Sequence, residues 1–217
     1  MEEQMEIVPV RDPDRVIPSP RKTEPDTLST RLWGVDWTRH FPILSKNGAV
    51  ECRHVPFEKI EHYLLNPTDA DYQEKKKFYG FCADAFGFYD LTQNDKLIGA
   101  GIANPSDPTT YYIRAAHIFE QYRSNGLFTE WVRTLTDAMR ACASLQRIEV
   151  EINTQEPRMP IIYARLGYRI TGTTFNDRWG GIIRMTAHLK PQFLDSFTEK
   201  FCPPTAPKAQ ITQGGVS

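Results

Sequence analysis

Gln121-Tyr122-Arg123-Ser124-Asn125-Gly126 is a polar turn carrying one arginine and one glycine, and Leu127 begins a helical pattern directly after it. In that pattern Leu127, Phe128, Trp131, Val132, Leu135, Ala138, Met139, Cys142 and Leu145 recur three or four apart, with Glu130, Arg133, Thr134, Asp137 and Arg140 on the other side. An apolar-rich run, Tyr111 to Phe119, precedes the turn and reads as a strand. Strand, tight turn and helix aim the free amides of a helix N-terminus at one point, where the helix dipole favours an anion, typically a phosphate. The same pattern also describes an ordinary strand-to-helix connection. Other chemistry has little support. The five histidines have no H-x-x-x-H or H-E-x-x-H spacing, the four cysteines no C-x-x-C, and G-x-S-x-G does not occur.

The elements that must position this turn follow from the chain in order. Residues 1–47 form a Pro-rich arm, punctuated by Pro9, Pro13, Pro18, Pro20, Pro25 and Pro42. Trp33, Trp37 and Phe41 within it are costly to leave in water, so this part is expected to dock on the body or on another chain. Ala49–Val55 alternates as a strand. Phe57–Leu65 reads as a short helix closed by Asn66-Pro67, and Asp69 or Asp71 caps a second helix through Phe81. Phe86–Leu91 and Lys96–Ile102 make a hairpin about Thr92–Asp95, and Asn104–Pro108 is expected to be a loop. After the long helix, Arg147–Ile152 is a strand and Ile161–Leu166 a helical turn capped by Gly167. Tyr168–Thr173 and Gly181–Leu189 are two further strands. Past Pro191, Phe193, Leu194 and Phe197 are expected in a short helix before a Pro- and Gly-rich tail. The order β-α-α-β-β-β-α-β-α-β-β is that of a mixed α/β domain over residues 48–190, followed by a tail, 191–217.

Twenty-six basic residues against 27 acidic ones give a formal net charge of −1, which argues against a nucleic-acid binder. No apolar run reaches the ~18–20 residues needed to span a bilayer. The acidic N-terminus, Met1 to Glu6, lacks the apolar core of a signal peptide. The scattered Cys52, Cys82, Cys142 and Cys202 are read as free thiols in a reducing cytoplasm.

On two motifs the sequence resembles the GNAT superfamily of acetyl-coenzyme A-dependent N-acetyltransferases, over roughly Val50 to Leu189. The family's coenzyme loop reads Q/R-x-x-G-x-G/A; here Arg123 and Gly126 match, while Ser124 and Phe128 stand where glycine, or glycine or alanine, is usual. The family's second motif has an Asn and later F-Y-x-x-x-G-F. It appears as Ile162-Tyr163-Ala164-Arg165-Leu166-Gly167-Tyr168, with Glu156 at the usual Asn position, Asn153 three residues earlier, and Met159 and Pro160 in place of small residues.

The resemblance implies a GNAT fold: a central mixed, mostly antiparallel sheet flanked by helices, here with extended N- and C-terminal arms. It implies a strand that splays from its neighbour so that the backbone of His117, Ile118 and Phe119 binds pantetheine. The amides of Ser124, Asn125, Gly126 and Leu127 face the pyrophosphate, with Arg123 adding charge. Tyr163 falls on the frequent general acid, a role that suits a phenol protonated at neutral pH. The implied reaction is acetyl transfer from acetyl-CoA to an amine of a small molecule or a protein. Phe128 is compatible with the coenzyme if its ring points into the sheet and blocks the site if it points at the loop.

For a general base the options are Glu120, Glu149, Glu151 and His117, of which Glu151 is the one assigned. Glu149 and Glu151 share a strand face opposite Ile148, Val150 and Ile152, where a carboxylate is also simply solvated; His117 also reads as a core histidine. Asp177 and Trp179, in the loop between the last strands, are assigned as acceptor contacts, and Lys75-Lys76-Lys77 reads as a solvated helix face. An alternative reading is a GNAT-fold interaction module, weakly active or inactive, whose arms clasp further copies of the chain or other subunits. A similarity to acetyltransferase-like proteins of tailed phages would place such a module in a virion.

Overall fold

The computed structural model describes residues 27–177 and 180–190. The expected tail helix around Phe193, the first 26 residues, Cys202 and Trp179 lie outside them. The first described residues pack as the tryptophans require. Helix α1 (Leu28–Trp33) ends at Gly34 and is followed by a single 3-10 turn at Trp37–Arg39. Val35, Trp37 and Phe41 are buried in the main core. A two-residue strand β1 (Ile43–Leu44) then pairs with β2 (Val50–Val55). Thus residues 27–44 dock on the body of their own chain.

Phe57–Leu65 is a 3-10 turn followed by one helical turn, α2 (Glu61–Leu64), and α3 (Tyr72–Cys82) leads into the hairpin of β3 (Asp84–Asp90) and β4 (Lys96–Asp107). Asn104–Pro108 was expected as a loop, but β4 runs through Asp107 and the turn is Pro108-Thr109. Pro105 lies past Ala103, where β3 stops pairing, so β4 is an edge strand there and keeps only its β5 neighbour, with a register shift between Pro105 and Asp107. The remaining elements are β5 (Thr110–Ile118), α4 (Leu127–Arg140), β6 (Arg147–Asn153), α5 (Arg158–Arg165), β7 (Arg169–Asn176) and β8 (Gly180–His188). They form an eight-stranded sheet in the order β1-β2-β3-β4-β5-β6-β8-β7, antiparallel except for the central β5–β6 pair.

Helices cover the two faces of the sheet unequally. On one, the apolar stripe of α4 buries Leu127, Trp131, Val132, Leu135 and Met139 completely against Phe86, Phe88, Ile113, Ile148 and Val150. Each such side chain contributes roughly 1.5–3 kcal/mol. Gly101 lets Trp131 lie flat on the strands, since a Cβ there would sit 2.8 Å from the indole. On the other face α2 and α3 cover β2 to β4, through Val55, Phe57, Ile60, Ala85 and Ile102, and α2 reaches the end of β5 through Tyr63 against Phe119. On the same face the β6 side chains Glu149 and Glu151 reach solvent. No helix among the described residues is long and apolar enough to cross a membrane. Cys52, Cys82 and Cys142 are buried free thiols, and burial pushes Cys82 up to about 11.

Candidate functional site: a wedge between two parallel strands

β5 and β6 pair only from Thr110↔Arg147 to Ile113↔Val150. Beyond Ile113 the strands separate, so residues 114–118 lose their β6 neighbour and keep only β4 on the other side. A β-bulge marks the separation: Ile113 pairs with Ala103 and Ala115 with Ile102, leaving Arg114 without a register partner on either strand. The extra residue changes which side chains face which side of the sheet. Ala116 and Ile118 oppose Gly101 and Gly99, whereas Ala115 and His117 oppose Ile102 and Ala100, which belong to the α2/α3 side. His117 is therefore exposed, with Phe119 edge-on at 5.6 Å, and is not the core histidine that its apolar neighbours in sequence imply. Phe119 in turn meets Tyr63 of α2 at 5.6 Å, and its amide donates to Ile98 O at 3.0 Å.

The turn lies at the mouth of this wedge. Ser124 and Gly126 both have left-handed backbone, with φ of 68° and 81°, and a Cβ at Gly126 would meet nothing within 4 Å, so the turn is open. The Asn125 side chain accepts from Leu127 N at 2.9 Å, a local cap on one amide of α4. The amides of Ser124, Asn125, Gly126, Phe128 and Thr129 have no acceptor among the described residues. Five unsatisfied N–H groups at the positive end of a 14-residue helix make a cradle for an anion. Arg123 is exposed and held by its Nε donating to Ile118 O at 2.8 Å, which ties the turn to the end of β5. Leu127 itself is fully buried and anchors the helix start.

Phe128 turns inward. Its ring packs 5.7 Å from Trp131 and 5.9 Å, edge-on, from Tyr163, and so does not fill the turn. Tyr163, on α5, is 2% exposed and stacks edge-on against Tyr168 at 5.0 Å. Its hydroxyl has no hydrogen-bond partner among the described residues. Burial, with the neighbouring phenols of Tyr168 and Tyr112, holds the Tyr163 pKa well above the ordinary tyrosine value. Tyr163 is thus a protonated phenol at any physiological pH.

On the open face, Glu149 is held by Arg147 Nε at 2.8 Å and Glu151 by Arg184, with Nη2 at 2.7 Å and Nε at 3.2 Å. Partial burial would raise the Glu151 carboxyl, but Arg184, Tyr112 and Arg114 more than offset it and keep it below the ordinary value. That makes Glu151 a weaker base than a free glutamate. Tyr112, beside it, is raised by burial and by the Glu151 charge. Asp177 is exposed at the end of β7, and Glu156 is exposed in the turn before α5. Glu120 is exposed in the 3-10 turn ahead of the cradle.

The structure thus brings the β5 end and the cradle together and links the start of α4 to Tyr163 through the Phe128 ring, with Glu151 on the α2/α3 face of the sheet. Sequence reasoning missed Arg114, Tyr112 and Arg184. A bulge and a cross-strand pair at Glu151↔Arg184 depend on register, which leaves no local mark in the sequence.

Residues 54–168 match the Acetyltransferase (GNAT) family. No curated protein matches the sequence significantly. Among solved structures, a point mutant of the spermidine N-acetyltransferase SpeG from Vibrio cholerae aligns with a TM-score of 0.52 at 13% identity, over 68% of this chain and 98% of that one. Spermidine N-acetyltransferase from the same organism in complex with CoA and spermine aligns at 0.50 and 14%, over 65% and 96%. An IAA acetyltransferase from Bacillus cereus aligns at 0.52 and 16%, over 64% and 99%. At these identities the likeness is one of fold, and neither it nor the family match bears on a phage or virion origin. With the family match spanning more than half of the sequence, this chain belongs to the GNAT acetyltransferases, acyltransferases that use acetyl-CoA.

Proposed function

We propose that the chain transfers an acetyl group from acetyl-CoA to an amine, and that the reaction takes place in the wedge between β5 and β6. The observation that carries this reading is the end of the parallel ladder at Ile113↔Val150, with the amide cradle on one side of the opening and the Tyr163 phenol on another. The residues fit the coenzyme because Gly126 leaves the turn open and Phe128 is stacked away from it. When bound, acetyl-CoA supplies the thioester whose acyl carbon accepts the amine. The amides of Ser124, Asn125 and Gly126, with Arg123, hold its pyrophosphate, and the backbone of His117, Ile118 and Phe119, apart from the Phe119 amide held by Ile98 and the Ile118 carbonyl held by Arg123, lines its pantetheine arm. Tyr163 donates its proton to the departing sulfur; its raised pKa keeps that proton in place at neutral pH while making the phenol a weaker acid than a free tyrosine.

The amine must lose a proton on the α2/α3 side. Glu149, Glu151 and His117 are groups on that face that can take one, and Glu149 is held by Arg147. The Arg184 pair weakens Glu151 in this role, and an imidazole is the residue type suited to carry protons near neutrality.

Calorimetric titration with acetyl-CoA tests the reading. Micromolar binding, about −8 kcal/mol, followed by thiol release with an amine panel is the expected result. No binding at millimolar ligand would remove the wedge as a coenzyme site.

A further inference from the structure

Arg114 is the residue that the bulge inserts into β5 at the point where the strand leaves β6. It is exposed, yet its guanidinium is fixed. Its Nε donates to Asn104 Oδ1 at 3.0 Å, and the guanidinium carbon lies 4.3 Å from the Tyr112 ring centroid. Asn104 is only 1% exposed, and its amide is itself oriented by donating to Pro105 O at 2.7 Å, so Oδ1 is left to face Arg114. A buried asparagine and an aromatic ring thus hold one arginine in place while its two terminal nitrogens form no ion pair among the described residues.

The charges around it are already matched. Arg147 holds Glu149 and, at 3.8 Å, Asp107, and Arg184 holds Glu151, so that Arg114 is the one of these three arginines without an ion pair among the described residues. A polycationic acceptor needs unpaired carboxylates, and the two on the β6 face are engaged. A planar guanidinium with both terminal nitrogens available suits one carboxylate, held by two parallel hydrogen bonds.

We propose that Arg114 anchors a carboxylate of the acceptor, so that the acceptor is an amino-acid-like small molecule. Its amine enters the wedge while its carboxylate stays on the open sheet face. This rests on the acetyl transfer proposed above.

The experiment uses the full chain. Acetyl-CoA affinity is measured first by calorimetry, and thiol release is then followed with amino acids, their carboxamides and spermidine as a polyamine control. The expected result is kcat/KM for the best amino acid roughly 10- to 100-fold above its carboxamide, the range of a charge-assisted hydrogen bond. In Arg114→Gln that ratio falls to about one, through KM, and Arg114→Lys restores part of it. Calorimetry of the amino acid on CoA-loaded protein gives the same answer without turnover: measurable binding in the natural chain and none in Arg114→Gln, while the variant still binds acetyl-CoA. Equal use of amino acid and carboxamide, a preference for spermidine, or an undiminished ratio in Arg114→Gln would each overturn the carboxylate anchor and leave acetyl transfer standing. Failure to bind acetyl-CoA at all would overturn both.

Discussion

Trp37 and Asp84 lie 47 residues apart in sequence, and the Trp37 indole donates to Asp84 Oδ1 at 2.9 Å in the middle of the protein. The same oxygen accepts from Thr27 Oγ1 at 2.5 Å and Ser29 Oγ at 2.6 Å, and Oδ2 accepts from the Tyr111 hydroxyl at 2.7 Å. One fully buried carboxylate therefore joins the N-terminal segment to β5, the strand whose far end forms the wedge. Burial raises its pKa and the four donors partly offset this.

Removing the acceptor strands those donors. Asp84→Ala is expected to lower stability by about 3–5 kcal/mol, because several buried donors lose their partner together. Trp37→Phe, which keeps most of the packing and deletes one donor, is expected to cost about 1 kcal/mol. Urea unfolding measures both. A loss below that of Trp37→Phe in Asp84→Ala would mean the cluster contributes little.

His54 gives the fold a pH dependence. Its Nε2 is buried without a hydrogen-bond partner, 3.8 Å from Asp84 Oδ1, and burial lowers the imidazole from 6.5 to about 4. Between these values the unfolded chain takes up a proton that the folded one refuses, so stability falls as pH falls through that window, by about 3 kcal/mol in full. Asp84, raised in the folded state, acts in the opposite sense at the acid end. The difference between the natural chain and His54→Gln isolates the histidine: the variant's stability should change less from pH 7 to pH 4.5, and parallel curves would refute it.

Tyr163→Phe removes the phenol but keeps the ring between Phe128 and Tyr168. The expected outcome is a kcat lowered roughly 10²-fold or more, with acetyl-CoA affinity within twofold of the natural chain. Because the raised pKa keeps this phenol protonated, activity should show no alkaline loss attributable to it below pH 10. Full activity in the variant would take Tyr163 out of the chemistry.

At Gly126 the backbone has φ 81°, which a proline cannot adopt and other residues adopt only with strain. Gly126→Pro also deletes one of the unsatisfied amides. Calorimetry should find acetyl-CoA binding lost, with circular dichroism unchanged because the buried stripe of α4 is untouched. Retained affinity would mean that the coenzyme does not use this turn.

Much of this was written locally in the chain. The stripe from Leu127 fixes α4 and the face it buries, the alternation of Arg147 to Ile152 fixes β6, and Gly126 and Gly167 punctuate the helix start and end. The docking of the segment around Trp37 was legible as a need to bury aromatic surface, though not where it would be met. Asn104–Pro108 was misread because asparagine, proline and aspartate signal turns in isolation, whereas here a ribbon beyond the end of β3 tolerates them.

By itself the sequence determined most of the helices and strands, with Asn104–Asp107 of β4 the exception, where the turn before α4 lies, and the family, since period, glycine position and motif are properties of neighbouring residues. Only the tertiary structure decided that β5 and β6 part after Ile113, that the bulge at Arg114 puts His117 in solvent, that Phe128 turns inward, and that Glu151 is held by Arg184. These depend on register and on packing between segments distant in sequence. A shift of one residue in a strand reverses every side chain after it, and no local pattern encodes where that shift falls.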